Sequence, residues 1–367
     1  MDRLRFGLIG CGRISPKHIE ALANNYNNAQ LVALCDLDVN KAMLLKEKYN
    51  ELLNQKGLAI GDVEIYKDYE DLLNRNNIDV VSVATFSGTH AEIAINALKA
   101  NKHVIVEKPI ALSIKDVDKM IETAKKYNKK ITVCHQNRFN TTVQKLRKAL
   151  EDGRFGKIIH GVANIRWNRN DAYYKQAPWR GTWEQDGGTL MNQCIHNIDL
   201  LQWMMGPVDR LYAEADTFLR NIEGEDMGAA VLRFKNGAIG IIEGSACIYP
   251  KNLEETLSIF GERGTVRIGG VAINKISDWK FDDGLDNEEE VKREANYDDP
   301  DSVYGYGHTP LYRDFIDAVV NNREPYISAE EGKKAMEIVL AIYKSRKTGL
   351  PVEFPLKDFS TLDMKER

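Results

Sequence analysis

Leu4-Arg5-Phe6-Gly7-Leu8-Ile9-Gly10-Cys11-Gly12-Arg13-Ile14-Ser15-Pro16 decides the fold of this chain. Its first half is a short apolar run of the length expected for a buried parallel strand, and its second half is a glycine-rich turn opening a helix. Gly10 permits the tight turn, and Gly12 lets a dinucleotide pyrophosphate approach the backbone, where the free N–H groups and dipole of a helix start favour anions. Ser15 stands where the pattern has its third glycine. Pro16 suits the first helical turn because its missing N–H would have had no partner there.

A glycine motif alone reads equally well as a plain turn, so its surroundings carry the argument. The second strand, Leu31-Val32-Ala33-Leu34-Cys35, ends in Asp36, where an acidic residue accepts hydrogen bonds from the adenosine ribose hydroxyls. Asp36 and Asp38 together repel a 2′-phosphate, and no arginine follows closely to accept one. The cofactor expected is NAD rather than NADP.

Strand and helix go on alternating: a strand near Val63–Tyr66, a helix near Tyr69–Asn76, a strand at Asp79–Thr85, a helix over 90–100 and a last strand at Ile131–His135. Ser113 and Asp116 open a further helix as a capping pair. The apolar strand Val104-Ile105-Val106 runs into Glu107-Lys108-Pro109, which puts a lysine where a bound nicotinamide ring ends. In a doubly wound sheet, ligands sit beyond the carboxyl ends of the strands. Thr85, Ser87, His90, Glu107, Lys108, Gln136 and Asn137 all fall near that edge.

Beyond residue 140 the pattern becomes alternating strands, at 157–167, 211–219, 226–234, 238–247, 256–261 and 264–268, with a late helix over 329–347. The fold expected is α/β: an N-terminal Rossmann domain with a doubly wound parallel sheet (residues 1–137), then an α+β domain on a large, mostly antiparallel open sheet (residues 138–367). That second domain would bind substrate and build the oligomer, since one face of such a sheet needs cover from helices or a second subunit. No linker separates the halves, so they are expected to share a cleft.

With 367 residues, 43% of them hydrophobic, and a net charge of −4, the chain has ample core for two domains and no basic excess for nucleic acid. No apolar run approaches the ~20 residues of a membrane span, and the chain starts directly on its first strand. A cytoplasmic location is expected. Cys11, Cys35, Cys134, Cys194 and Cys247 are scattered and form no C-x-x-C pair, so neither a disulfide framework nor a bound metal is expected.

The second constellation follows Gly187-Gly188: Asn192, His196 and Asp199 are spaced i, i+4, i+7, one face of a helix whose remainder is Leu200, Leu201, Trp203 and Met204. A lone histidine there reads as a satisfied core residue. Three aligned polar residues read as a site, because burying them unpaired costs a few kcal/mol each. Arg166, Arg169, Arg180 and Lys251 are candidates for oxyanions, to which charge-assisted and bidentate contacts are suited. Tyr173, Tyr174, Trp179, Trp183, Tyr304 and Tyr306 are candidates for stacking or for core.

Taken together, Gly10-Cys11-Gly12-Arg13-Ile14, Thr85-Phe86-Ser87-Gly88-Thr89-His90, Glu107-Lys108-Pro109 and Gly187-Gly188 with His196 resemble the glucose-fructose oxidoreductase, inositol dehydrogenase and rhizopine-catabolism (Gfo/Idh/MocA) family over essentially the whole chain. Gln136-Asn137-Arg138, Trp179–Glu184, Met191-Asn192-Gln193, Tyr249–Glu254 and Ser302–His308 resemble the branch that oxidises UDP-N-acetylglucosaminuronate at C3. The resemblance implies that Lys108 and His196 flank the reacting carbon and that Lys108–Pro109 is a cis peptide. It implies cofactor contacts from Gly10, Gly12, Arg13, Ile14, Asp36, Thr85, Ser87, His90, Glu107, Lys108, Asn137, Trp179 and Arg180, and substrate contacts from Lys108, Arg166, Asn192, His196 and Tyr304. It also implies NADH recycled by 2-oxoglutarate, a homodimer or homotetramer, and a 3-oxo sugar nucleotide bound for transamination on the way to a surface polysaccharide. A free-sugar or inositol dehydrogenase and a non-catalytic NAD-binding sensor are the other readings.

Two departures matter. Phe86 replaces the family's usual proline, and Asn192 replaces an aspartate four residues before the histidine. An amide positions a hydroxyl but cannot take its proton, so the acid–base role narrows to Lys108 and His196. An ordinary lysine, with a pKa near ~10.4, costs roughly 4–5 kcal/mol to deprotonate at neutral pH, whereas a histidine near ~6.5 costs almost nothing. His196 is the base expected, with Lys108 holding the developing alkoxide.

Overall fold

The computed structural model describes residues 3–299 and 305–365. The chain divides into two units, one made of the chain up to Ala111, Lys115–Gln136 and Gly307–Lys333, the other of Leu112–Ile114, Asn137–Tyr306 and the chain from Lys334 onward. The division expected at residue 137 therefore does not carry all of 138–367 into the second unit: the segment Gly307–Lys333 belongs to the first. No periodicity in the sequence announces that return.

The first unit alternates β1 (Leu4–Ile9), α1 (Ser15–Asn24), β2 (Ala29–Cys35), α2 (Val39–Gln55), β3 (Glu64–Tyr66), α3 (Tyr69–Leu73), β4 (Val80–Val83), α4 (His90–Lys99), β5 (His103–Val106), α5 (Ile114–Lys126) and β6 (Ile131–Val133). Its sheet has the order β3-β2-β1-β4-β5-β6, and its strand pairs are parallel. Burial on both faces explains why β4, apart from Ser82, and β5, apart from His103, are apolar. The order reverses between β1 and β4, which is where such folds bind ligands.

The second unit holds α6 (Thr141–Glu151), β7 (Ile158–Arg166), α7 (Asp171–Lys175), α8 (Ile195–Met205), β8 (Val208–Asp216), β9 (Met227–Phe234), β10 (Ile239–Ser245), β11 (Glu254–Gly261), β12 (Gly264–Gly269), β13 (Lys275–Phe281) and α9 (Glu288–Ala295). The chain then contributes α10 (His308–Val320) to the first unit, runs through α11 (Ala329–Thr348), and ends its sheet with β14 (Val352–Glu353). Among the described residues this sheet has the order β13-β12-β11-β7-β10-β9-β8-β14, antiparallel except for β7 with β10. β13 and β14 had no signal in the pattern, and β8 begins three residues before its expected start at 211.

Residues alternate across this sheet. Ala163, Ile165, Ala230, Leu232 and Ile242 face the core, while Tyr212, Val231, Ile241 and Val162 form a cross-strand row on the other face. Val231 is 56% exposed and Tyr212 and Ile241 about 40%, an apolar row that a monomer leaves in water. Among the described residues, no helix is long and apolar enough to cross a membrane.

Candidate active site

In the first unit the glycine turn and the end of β2 meet. Gly10 N donates to Cys35 O at 2.8 Å, and Cys11 N donates to Asp36 Oδ2 at 2.8 Å, while Asp36 Oδ1 accepts from Asp38 N. Gly10 has φ +96°, and a Cβ there would lie 2.5 Å from Ala84 O, so only glycine fits. A Cβ on Gly12 would meet nothing within 4 Å. Open space over a helix start, with a carboxylate braced beside it, fits a dinucleotide whose pyrophosphate lies on the turn and whose ribose meets Asp36.

At the carboxyl end of β5 the Lys108–Pro109 bond is cis. Ser87 is buried in a 3-10 turn, and Thr85 Oγ1 pairs with Thr89 Oγ1 at 2.8 Å. His90 differs from its expected role. It is buried, with Nδ1 2.8 Å from Pro109 O and Nε2 3.2 Å from Thr85 O, so its ring braces the ends of β4 and β5 instead of offering a polar atom to a cofactor. Burial pushes its pKa down.

Beneath this edge lies a group that sequence reasoning missed. Glu107 Oε1 sits 3.1 Å from both His18 Nε2 and His308 Nε2, and His18 Nδ1 is 2.7 Å from Tyr312 Oη, itself 2.6 Å from Ser82 Oγ. His18 lies on α1, and His308 and Tyr312 lie on α10, so residues almost 300 positions apart share one buried cluster. The buried histidine three residues after Ser15 was the available signal, and nothing in the pattern named its partner.

The second unit carries a polar turn of its own. Gly187 and Gly188 have φ +85° and +93°, and the chain then forms a π-helical turn, Leu190–Cys194, before α8. The wider turn breaks the expected i, i+4, i+7 stripe, because π geometry rotates Asn192 relative to an α-helix. Asn192 is held by the buried carboxylate of Asp186, which also accepts from Gly181 N at 2.6 Å. His196 is the second residue of α8 and is half-buried. Asp199 points elsewhere: Arg138 donates to it through Nε at 2.8 Å and Nη2 at 2.6 Å, both side chains are 1% exposed, and the guanidinium stacks over Trp203. Asp199 is thus a structural residue, and removing either partner of such a pair costs about 3–5 kcal/mol.

Arginines and aromatic rings gather beside Asn192. Arg180 lies 4.0 Å over the Tyr173 ring and 5.2 Å from that of Trp179, and Arg169 lies 5.3 Å from Tyr173 and 4.6 Å from Trp167. Tyr173 Oη accepts from Gln193 Nε2 at 2.9 Å, and the same amide reaches Asn192 Oδ1 at 3.2 Å. The Arg180 Nε and Asn137 Oδ1 atoms are buried without a hydrogen-bond partner among the described residues, which suits polar ligand atoms. Arg166 does not join them. It is paired with Glu243 at 2.8 Å and Glu254 at 2.5 Å, so an incoming anion would have to displace a carboxylate. Tyr304, expected among the substrate ligands, lies outside the described residues.

Glu225 anchors the entry to the π turn. Its Oε1 accepts from Leu190 N at 2.6 Å and lies 3.1 Å from Tyr343 Oη, whose one proton is shared between it and Gly187 O. Burial pushes the Glu225 carboxyl up to about 8 from an ordinary 4.5, and Glu255, also buried, rises to about 8. Between those limits the folded state binds protons that the unfolded state has lost, so this stability is complete below 4.5 and lost as pH rises through about 8. Melting temperature should therefore fall between about pH 5 and about pH 9, and Glu225→Gln should remove a large part of that fall. A variant whose melting temperature tracks the parent at every pH would show that Glu225 is not the group titrating.

Two family patterns match the chain: the NAD-binding Rossmann fold of the oxidoreductase family over residues 4–135, and the GFO/IDH/MocA C-terminal domain over residues 143–267. The chain belongs to the Gfo/Idh/MocA family. Within it, the chain is similar to the WlbA dehydrogenase of Bordetella pertussis, solved in complex with NADH and UDP-GlcNAcA, at 39% identity, TM-score 0.85, covering 97% of this chain and 99% of that one. The WlbA dehydrogenase of Chromobacterium violaceum, with the same two ligands, is similar at 36% identity, TM-score 0.84, covering 97% of each chain. Myo-inositol 2-dehydrogenase of Thermotoga maritima is 31% identical over 356 residues, 93% of this chain and 96% of that protein. As a Gfo/Idh/MocA oxidoreductase, the chain uses NAD as its cofactor.

Proposed function

We propose that this Gfo/Idh/MocA protein oxidises the C3 hydroxyl of UDP-N-acetylglucosaminuronate to the 3-oxo sugar nucleotide. The observation that carries the reading is the run Arg180–Tyr173–Gln193–Asn192, which sets a cation and a stack of rings beside the polar turn that leads to His196. A free polyol has no oxyanion to engage such an arginine cluster, whereas a sugar nucleotide brings a pyrophosphate, a carboxylate and a base. The likeness to two WlbA dehydrogenases solved with UDP-GlcNAcA supports the same substrate.

NAD, when bound, supplies the acceptor for the C3 hydrogen and its electron pair. His196 takes the hydroxyl proton. Lys108 carries the positive charge that stabilises the developing alkoxide and then the carbonyl oxygen. Asn192, held by Asp186, orients the hydroxyl and takes no proton. Asp36 selects NAD by its charge.

The product is a ketone set up for transamination on the way to a surface polysaccharide, and 2-oxoglutarate recycles the NADH. The apolar row Tyr212, Val231, Ile241 and Val162 supports pairing of subunits into a homodimer or homotetramer. Five free thiols suit a reducing, cytoplasmic location.

Absorbance at 340 nm with purified protein, NAD and UDP-N-acetylglucosaminuronate tests the reading. The expected trace rises with substrate and falls when 2-oxoglutarate is added. Myo-inositol and free sugars form the second arm, which the 31% identity to an inositol dehydrogenase favours. Turnover with those polyols alone would replace the proposal. Demonstrated NAD binding with flat traces in both arms would leave a sensor.

A further inference from the structure

The cluster under Lys108 asks why a carboxylate is buried there. Glu107 is 6% exposed and hydrogen-bonded on both oxygens: Oε1 takes His18 and His308 at 3.1 Å each, and Oε2 faces Lys108 N at 3.3 Å. The buried Cys134 thiol, just after β6, lies close by, its sulfur within 4.8 Å of a Glu107 carboxylate oxygen. Burial alone would raise the Glu107 carboxyl, but the bonds from His18 and His308 outweigh it and hold the group well below its ordinary range. His308 is driven the other way by burial, so it stays neutral. The charged and titratable groups around Glu107 are His18 on α1, His308 and Tyr312 on α10, Cys134 after β6, His90 on α4, and Lys108.

Among the described residues, His18, Glu107, Cys134 and His308 also form a set whose donor atoms lie within 4.8 Å of one another, a composition that zinc accepts. Here, however, both histidine contacts to Glu107 are already hydrogen bonds. Two ring N–H groups converge on one carboxylate oxygen at 3.1 Å, and His18 has its second nitrogen on Tyr312, so the ring protons are in use. A structural role alone would be served better by a neutral amide, which avoids the desolvation penalty of a buried charge. The carboxylate sits at the carboxyl end of β5, the edge where this fold places a dinucleotide's reactive end.

We propose that the Glu107 carboxylate, clamped by His18 and His308, is a positioning residue that favours the oxidised, cationic nicotinamide over the neutral reduced one by keeping one negative charge buried beneath the end of β5. This goes beyond the substrate assignment and rests only on the family's NAD binding. One charge acting over roughly 10 Å through protein shifts such an equilibrium about tenfold.

The test is the ratio of the dissociation constants for NAD⁺ and NADH, measured by calorimetry on the full chain without sugar substrate, for the parent and Glu107→Gln. The amide keeps an acceptor for both histidines. The expected result is a ratio raised about tenfold against NAD⁺, with a melting temperature close to the parent's. Equal weakening of both ligands, or no change, overturns the proposal, since a purely structural role would not move the ratio. Should Glu107→Gln not fold, His308→Leu is the second variant: losing one donor lifts the carboxyl toward neutrality, so the preference should fade on the acidic side. A pH-independent ratio equal to the parent's would overturn the proposal, as would one equivalent of zinc found by elemental analysis of the purified parent.

Discussion

Replacing Lys108 by methionine is expected to lower kcat by at least about a thousandfold without weakening the affinity for NAD. Methionine keeps most of the stem and removes only the charge. Lys108 follows β5 and precedes a cis peptide bond to Pro109, so its backbone belongs to the turn that closes the strand. The glycine turn and Asp36, the proposed seat of the rest of the cofactor, follow β1 and β2 and are untouched. Steady-state kinetics with UDP-N-acetylglucosaminuronate, together with NAD titration, separate the two effects. A kcat within about tenfold of the parent would remove Lys108 from the chemistry. His196→Asn is the companion variant: as the proposed base, His196 should produce the acidic limb of the pH–rate profile, and a limb that survives its removal would transfer the role to Lys108.

Gly188→Ala should destabilise the second unit by more than about 3 kcal/mol. Two costs add. The backbone there has φ +93°, which an alanine adopts poorly, and the new Cβ would lie 2.6 Å from Glu225 Cδ. Glu225 cannot retreat without breaking its bonds to Leu190 N and Tyr343, the bonds that start the π turn carrying Asn192. Chemical denaturation gives the stability, and NAD binding gives a control that reads the first unit. A loss below about 1 kcal/mol would mean that the carboxylate moves aside freely.

The first unit was the most legible part of the chain because its signals are local. A strand, a glycine turn and an acidic strand end within some thirty residues dictate a phosphate-binding turn, and strands buried on both faces announce themselves as apolar runs. The strands of the second unit were visible by alternation. β13 and β14 were not, since Lys275–Phe281 mixes polar and apolar residues and Val352–Glu353 is too short to show a period. The polar stripe after Gly187-Gly188 was read one step too simply: local spacing assumed α geometry, whereas the chain forms a π turn there.

The sequence by itself determined the class of fold, the use of NAD and the residue types available for chemistry, because each depends on short-range pattern and on a side chain's own charge. Only the tertiary structure decided which polar residues face a site. It sent Asp199 to Arg138, Arg166 to Glu243 and Glu254, and His90 to two carbonyls, and it drew His18 and His308 onto Glu107. The physical reason is that a buried polar group must find a partner wherever the packed chain brings one, and that partner is set by topology, not by distance along the sequence.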